Sequence, residues 1–250
     1  GLYLADPAGR VNALIENAAS LGESAGLEYR NLVVEGQRNT PRDLIRAALG
    51  VEVGDPLLSF SPTEARARLE TIAWVESAHV ERRFPDTILV RLTERTPFAI
   101  WQNGGRFAVI DREGKLVTTQ PLDAFGPLPL VVGAGADRTA AALHDLLQAH
   151  VEVLRRTQAL VRVGERRWNL RLHNGTDVLL PEGQEAPALN RLAELHQRNA
   201  LLDRPLVAID MRLPDRLVLR QQPAPEPQPA AARRPAQGTV QGTAQGTTGR

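Results

Sequence analysis

The most versatile chemical groups in this sequence are five histidines, His79, His144, His150, His173 and His196. No two stand at the spacing that places a pair of ligands on one helix face, and no Glu brackets a pair as a zinc protease requires. They read as separate imidazoles, on the surface or partly buried. The serines are Ser20, Ser24, Ser59, Ser61 and Ser77. None lies in a Gly-x-Ser-x-Gly elbow, so there is no nucleophile of the α/β-hydrolase kind. Cysteine is absent, which excludes thiolate metal sites, thiol catalysis and disulfides. Gly133-Ala134-Gly135 follows the apolar run 128–132 and precedes a helix, as a dinucleotide fingerprint does. Arg138 occupies the third glycine position, however, and the surrounding pattern is antiparallel rather than βαβ, so the motif reads as a strand-to-helix turn. A nucleotide-dependent enzyme built on that turn is the competing reading, and stabilisation by a nucleotide would revive it. Gly114-Lys115-Leu116 lacks the first Gly and the Ser/Thr of a phosphate loop and reads as a hairpin turn.

Asp111, Glu113, Asp210 and Asp215 stand at turns and strand ends, where solvated or capping roles are expected. Asn174-Gly175-Thr176 has the form of a glycosylation sequon, but an Asn-Gly hairpin turn accounts for it. Arg82-Arg83 and Arg166-Arg167 are too short for a nucleic-acid stripe, yet each flanks a strand at which a partner chain can pair. Lys plus Arg is 30 against 29 for Asp plus Glu, a net charge of +1 that argues against a dedicated nucleic-acid binder. Nothing in these patterns is catalytic, and no cofactor or metal is implied.

The elements that would carry these groups form an α+β protein. At 250 residues, 42% hydrophobic and 24% charged, the chain fits two folded domains. Its five Phe, three Trp and two Tyr are few, so Leu, Val and Ala must build the cores. No window holds the uninterrupted apolar run of about eighteen residues that a membrane span needs, and the chain opens on Gly1 rather than Met, which implies a removed upstream segment. Val11, Leu14, Ile15, Ala18 and Ala19 follow Asp6-Pro7 at helical spacing, so 7–21 reads as a helix with one apolar stripe.

Residues 27–35 have strand composition and end at Gly36. Thr40-Pro41-Arg42-Asp43 offers an N-cap, a Pro at N1 and an acid at N3, and the helix they open closes at Gly50. Ser61-Pro62-Thr63-Glu64 is a capping box for a second helix, on whose last turn Trp74 and Val75 are placed, with Trp74 in the small core. Strands 78–82 and 87–93 follow, giving the order strand, helix, helix, strand, strand. Beyond residue 97 come strands at 98–102, 107–111, 115–118, 160–163, 168–172, 176–180, 206–212 and 216–220. Helices at 137–147 and around Leu189, Leu192 and Leu195 are inserted between them. From residue 222 the Pro, Gln, Gly and Thr composition predicts a disordered tail.

The run Trp74-Val75-Glu76-Ser77-Ala78-His79-Val80-Glu81-Arg82-Arg83-Phe84-Pro85-Asp86-Thr87-Ile88 resembles the end of a POTRA domain. Together with Glu94-Arg95-Thr96-Pro97-Phe98-Ala99-Ile100-Trp101 it resembles the FtsQ/DivIB family of bacterial cell-division proteins. Ile110-Asp111-Arg112-Glu113-Gly114, Leu128-Pro129-Leu130-Val131-Val132-Gly133, Arg166-Arg167-Trp168-Asn169-Leu170 and Ile209-Asp210-Met211-Arg212 resemble the family's later hairpin and strands in the right order. The resemblance spans about 26–221. It implies a juxtamembrane helical segment at 1–25, a POTRA domain (β-α-α-β-β) at 26–96, a mixed β-domain with inserted helices at 97–221 and a tail at 222–250. It also implies a non-enzymatic divisome scaffold of the bacterial inner membrane, single-pass, with this region in the periplasm at the septum. The implied partners are FtsB and FtsL, with wider contacts to FtsK, FtsW, FtsI and FtsN. The runner-up is a POTRA-bearing outer-membrane assembly or secretion factor that binds substrate by β-augmentation. Such proteins carry several POTRA units or a long barrel, and neither is expected here.

Two surfaces follow. The last strand, Arg216-Leu217-Val218-Leu219-Arg220 with Gln221, precedes Pro223, so no downstream segment adds another strand and its edge is expected to be open. Leu217 and Leu219 would face one way, Val218 and Arg220 the other. The resemblance assigns this edge, with Arg212 and Leu213, to a stretch of FtsB, and Arg166 or Arg167 to an ion pair with it. Leu213 and Gln221 stand where the family has aromatic residues, which implies a contact that relies more on backbone pairing. On the POTRA domain the resemblance places a secondary interaction surface at Ser77, Val80 and Arg82.

Overall fold

The computed structural model describes residues 27–223. The expected helix at 7–21 and all but the first two residues of the expected tail lie outside them.

The first part of the chain is a three-stranded sheet backed by two helices. β1 (Asn31–Glu35) leads to α1 (Arg42–Leu49), a 3-10 turn (Leu57–Ser59) and α2 (Pro62–Leu69). The antiparallel pair β2 (Val75–Arg83) and β3 (Thr87–Glu94) completes it. The strand order is β1-β3-β2, with β1 parallel to β3, so the expected sequence of elements is what forms. Ile45, Leu49, Ala65 and Leu69 of the helices pack on Ala78, Val80, Ile88 and Val90 of the sheet.

Two details of the capping differ from expectation. Thr40 does not cap α1: its hydroxyl donates to Glu94 at 2.6 Å, and the helix starts at Arg42 behind Pro41. The carboxylate outcompetes the helix because it is charged and collects three consecutive backbone N–H groups as well. At α2 only half of the capping box forms. Ser61 accepts from the Glu64 N–H at 3.3 Å, while the Glu64 carboxylate turns to Arg68 at 3.8 Å.

Trp74 is a larger correction. α2 ends at Leu69, Val75 already belongs to β2, and it is Val75 that is buried in the core. Trp74 is half-buried and lies edge-on against Phe125, ring centroids 5.4 Å apart. The apolar spacing that suggested a longer helix is produced by Leu69 at the end of α2 and Ile72 on the turn that follows it.

The second part is a nine-stranded mixed sheet in the order β12-β11-β10-β9-β8-β7-β4-β5-β6. β4 (Ala99–Asn103), β5 (Arg106–Ile110) and β6 (Leu116–Thr118) form a meander. β7 (Leu130–Val132), β8 (Thr157–Val163), β9 (Arg167–Leu172) and β10 (Asp177–Leu179) extend the sheet, and β11 (Leu206–Asp210) and β12 (Val218–Gln221) end it. Parallel neighbours need a crossover. The helices sit at two such steps: α3 (Ala136–Gln148) and α4 (Val151–Arg156) between β7 and β8, and α5 (Glu185–Asn199) between β10 and β11. α4 has only two turns behind the short break at Ala149-His150 and was not legible as a separate element. Leu143, Leu147, Leu189 and Leu192 pack on Leu160, Trp168, Leu170, Val178 and Ile209. Gly133-Ala134-Gly135 is the turn from β7 into α3, as expected, but β7, the two helices and β8 form a parallel βαβ crossover rather than the antiparallel pattern expected around it.

Candidate partner-binding edge

β12 lies at one end of the nine-stranded sheet and pairs only with β11 among the described strands. Its register is antiparallel, with Asp210 opposite Val218, Ile209 opposite Leu219 and Ala208 opposite Arg220. Directly opposed residues share a face, so Leu219 lies on the core side beside the buried Ile209, and Val218 and Arg220 lie on the outer side. Only Leu217 packs against the core. Val218 is 44% and Leu219 37% exposed. The expected division of side chains between core and exterior therefore holds in register but not in burial: a strand at the sheet's end has no second neighbour to cover it. The result, among the described residues, is an edge with an open backbone row and an uncovered apolar side chain on each face.

The loop before β12 is tied down by one charge pair. Arg212 donates to both oxygens of Asp210, at 2.9 and 2.6 Å, and its backbone N–H reaches Asp210 Oδ1 at 3.1 Å. The Arg212 guanidinium holds the Asp210 carboxyl below the usual aspartate range. Asp210 is thus not a solvated strand end but the anchor of Arg212. A sequence signal for this existed, since alternate residues at a strand end lie on one side. Leu213 is 54% exposed, and Arg216 reaches only the exposed Asp215, at 4.0 Å.

The registers also locate the arginines of the β8–β9 hairpin. Asn169, Leu179, Asp210 and Val218 form one row across four strands on the outer face. Arg167 stands two residues below Asn169 on the same face, at the same end of the sheet as Arg212. The two are two strand spacings apart, about 10 Å. Arg166 is exposed in the hairpin turn. Arg167 Nε and Asn169 Oδ1 are buried without a hydrogen-bond partner among the described residues. Beside this end of the sheet a groove of about 520 Å³, unmarked by any sequence motif, runs between Pro181, Pro187 and Ala188 on one side and Met211, Arg212 and Pro214 on the other.

A family model described as "Cell division protein FtsQ/DivIB, C-terminal" matches residues 99–212, and one described as "POTRA domain, FtsQ-type" matches residues 27–95. "Cell division protein FtsQ" of Caulobacter vibrioides is 39% identical over 209 residues, which are 83% of this chain and 69% of that protein. The chain belongs to the FtsQ/DivIB family of cell division proteins. The protein of the same name from Bradyrhizobium diazoefficiens is 39% identical over 210 residues, 84% of this chain and 61% of the relative. That from Rhizobium meliloti is 37% identical over 200 residues, 80% of this chain and 65% of the relative. The chain thus spans roughly two thirds of the length of these FtsQ relatives, and the β12 edge lies beyond the end of the FtsQ/DivIB family match at Arg212.

In the POTRA domain of this FtsQ/DivIB chain, β2 is an edge strand. Ser77 is exposed on its outer face. Val80 points the other way, into the core, and Arg82 donates to the Leu58 carbonyl at 3.0 Å. What β2 offers a partner at position 80 is therefore backbone, not side chain. The histidines stay separate: His144 lies edge-on to Phe98, and its burial pulls its pKa below the ordinary histidine value. Among the described residues no three His, Asp or Glu side chains gather to hold a metal, and no helix is long and apolar enough to cross a membrane.

Proposed function

We propose that this chain is a non-catalytic scaffold of the division machinery that captures an extended segment of a partner on the β12 edge. The observation that carries the reading is β12 itself, which among the described residues is an open strand edge with Val218 and Leu219 uncovered on its two faces. A strand added there gains backbone hydrogen bonds for affinity, while its alternate side chains meet Leu219 on one face and Val218 and Arg220 on the other. By family resemblance the partner is FtsB, held with FtsL, and Arg212, Leu213, Arg216, Leu217, Gln221 and one of Arg166 and Arg167 complete the contact. FtsK, FtsW, FtsI and FtsN are the wider partners, and β2 with Ser77, Val80 and Arg82 is a second contact surface. In this reading the POTRA domain is 26–96 and the β-domain 97–221. The whole protein is anchored in the inner membrane by an N-terminal helix, with this region in the periplasm at the septum.

Successive N–H groups of a strand point to opposite sides, so one of Val218 and Leu219 donates away from β11. Proline at that position removes an outward donor and leaves the β11–β12 ladder intact. In pull-downs with the periplasmic FtsB–FtsL pair, one of Val218→Pro and Leu219→Pro abolishes binding while its melting curve matches wild type. Full binding by both variants, each still folded, would move the interface elsewhere.

A further inference from the structure

The POTRA sheet has a second edge. β1 pairs with β3 alone among the described strands, so a row of backbone groups along its far side is open. Beside that edge a trough runs between β1 and α1. One lobe of about 80 Å³ lies against Leu32, Val34 and Ile45. A second, of about 420 Å³, shares Leu32 and continues to Leu49 and Val51. The floor is apolar because Leu32 and Val34 are the core-facing residues of β1, yet among the described residues no further strand covers them and both are only half-buried.

The rim has one sign of charge. Arg42 and Arg46 lie one turn apart on α1 and both line the trough, and Arg30 stands at its other end. Arg30 reaches Glu28 at 3.2 Å, whereas the ion pairs among the described residues include neither Arg42 nor Arg46. Glu35, the acid on β1 itself, is held by Arg91 at 2.8 Å. Among the described residues the trough therefore presents two uncommitted guanidiniums above an apolar floor, alongside unpaired strand backbone.

These three features fit one kind of ligand. A nucleic acid or free anion would use the arginines but not the floor or the strand edge. A purely apolar strand would leave the guanidiniums unmatched. An extended acidic segment uses all of them: its backbone continues the sheet, and every second side chain, on the α1 side, either enters the trough where it is apolar or meets an arginine where it is a carboxylate. We propose that the β1–α1 trough of the POTRA domain is a docking site for an extended acidic segment of a partner protein, which adds to β1 as a fourth strand. The site is separate from the β12 edge and does not depend on it.

The probe is a short fluorescent peptide of repeated Thr-Val-Thr-Glu, which puts valine and glutamate on one face, titrated into the full chain and compared with one that has lysine in place of each glutamate. The glutamate peptide binds, the lysine peptide does not, and the amides that shift by NMR are those of Asn31–Glu35. Arg42 and Arg46 are exposed, so the double variant Arg42→Glu/Arg46→Glu keeps its fold and binds the glutamate peptide roughly tenfold more weakly, a change of about 1.4 kcal/mol. Equal binding by that variant, amide shifts confined to β2 or β12, or no binding at all would overturn the proposal. So would mass measurements in which the probe loses to self-association through β1, since the occupant would then be a second copy of this chain.

Discussion

Glu94 organises more backbone than any other side chain among the described residues. Its carboxylate accepts from the N–H groups of Arg38, Asn39 and Thr40 and from the Thr40 hydroxyl, at 2.6 to 3.0 Å. It thereby fixes the loop that carries β1 into α1. Burial works against the charge, but the hydrogen bonds from Thr40, Arg38 and Asn39 outweigh it and hold the carboxyl below the usual glutamate range. A depressed folded pKa means that the unfolded chain takes up the proton first as pH falls. The contribution of Glu94 is therefore complete above the ordinary glutamate range and is lost as pH drops through it towards the folded value. Glu94→Gln keeps the shape but loses the charge, and should cost about 1.5–3 kcal/mol in urea melts at neutral pH. The variant's stability should also fall less between neutral and acid pH than that of the wild type. Parallel pH curves for the two proteins would show that Glu94 does not titrate into this loop.

At the scale of elements, the turn between β5 and β6 decides how the meander meets α3. Gly114 has φ +81°, and a Cβ there would lie 2.7 Å from the Asp137 carbonyl at the start of α3. Both the conformation and the space demand glycine, so Gly114→Ala should cost about 1–3 kcal/mol by thermal melt, from strain and from pushing the helix away. An unchanged melting temperature would mean that the turn and α3 are free to move apart. This turn was legible as a turn, because Glu113-Gly114 punctuates two apolar runs. Its neighbour was not, because α3 arrives from residues more than twenty positions later and local patterns carry no distance information. The same limit explains the other differences. Most strands and four of the five helices follow from caps, glycines and apolar periodicity. Thr40 defected from its helix to a carboxylate 54 residues away, α4 was too short to show a period, and Trp74 looked like core because large aromatics usually are. The candidate edge was visible as the final strand before Pro223. The pairing of Arg212 with Asp210, the groove beside it and the trough along β1 were not, since each arises where separate elements meet.

At the scale of the whole molecule, the two sheets have separate cores and are joined where the chain leaves β3. Arg95 donates to Asp111 at 3.0 Å, and the Asp111 side chain, 6% exposed, also accepts from the N–H groups of Glu113 and Lys115. Asp111 is therefore a buried tie rather than a solvated turn residue. Trp74 against Phe125 adds an aromatic contact from the POTRA side to the loop between β6 and β7. In the proposed scaffold role this junction would matter, because partners on the POTRA domain and on β12 would be held at a defined separation only if the two sheets do not pivot. Breaking a buried ion pair from one side leaves the other charge without its partner, so Asp111→Asn should cost about 3 kcal/mol, near the low end for such pairs because Arg95 keeps some access to water. Trp74→Ala should cost less than the loss of a core tryptophan, and a double-mutant cycle with Phe125→Ala should return a coupling of about 0.5–1.5 kcal/mol. With both ties weakened, each sheet still has its own core to melt. Calorimetry of the Trp74→Ala/Asp111→Asn variant should therefore resolve two transitions where the wild type shows one. A single transition at the wild-type temperature would place the coupling between the two sheets somewhere other than this junction.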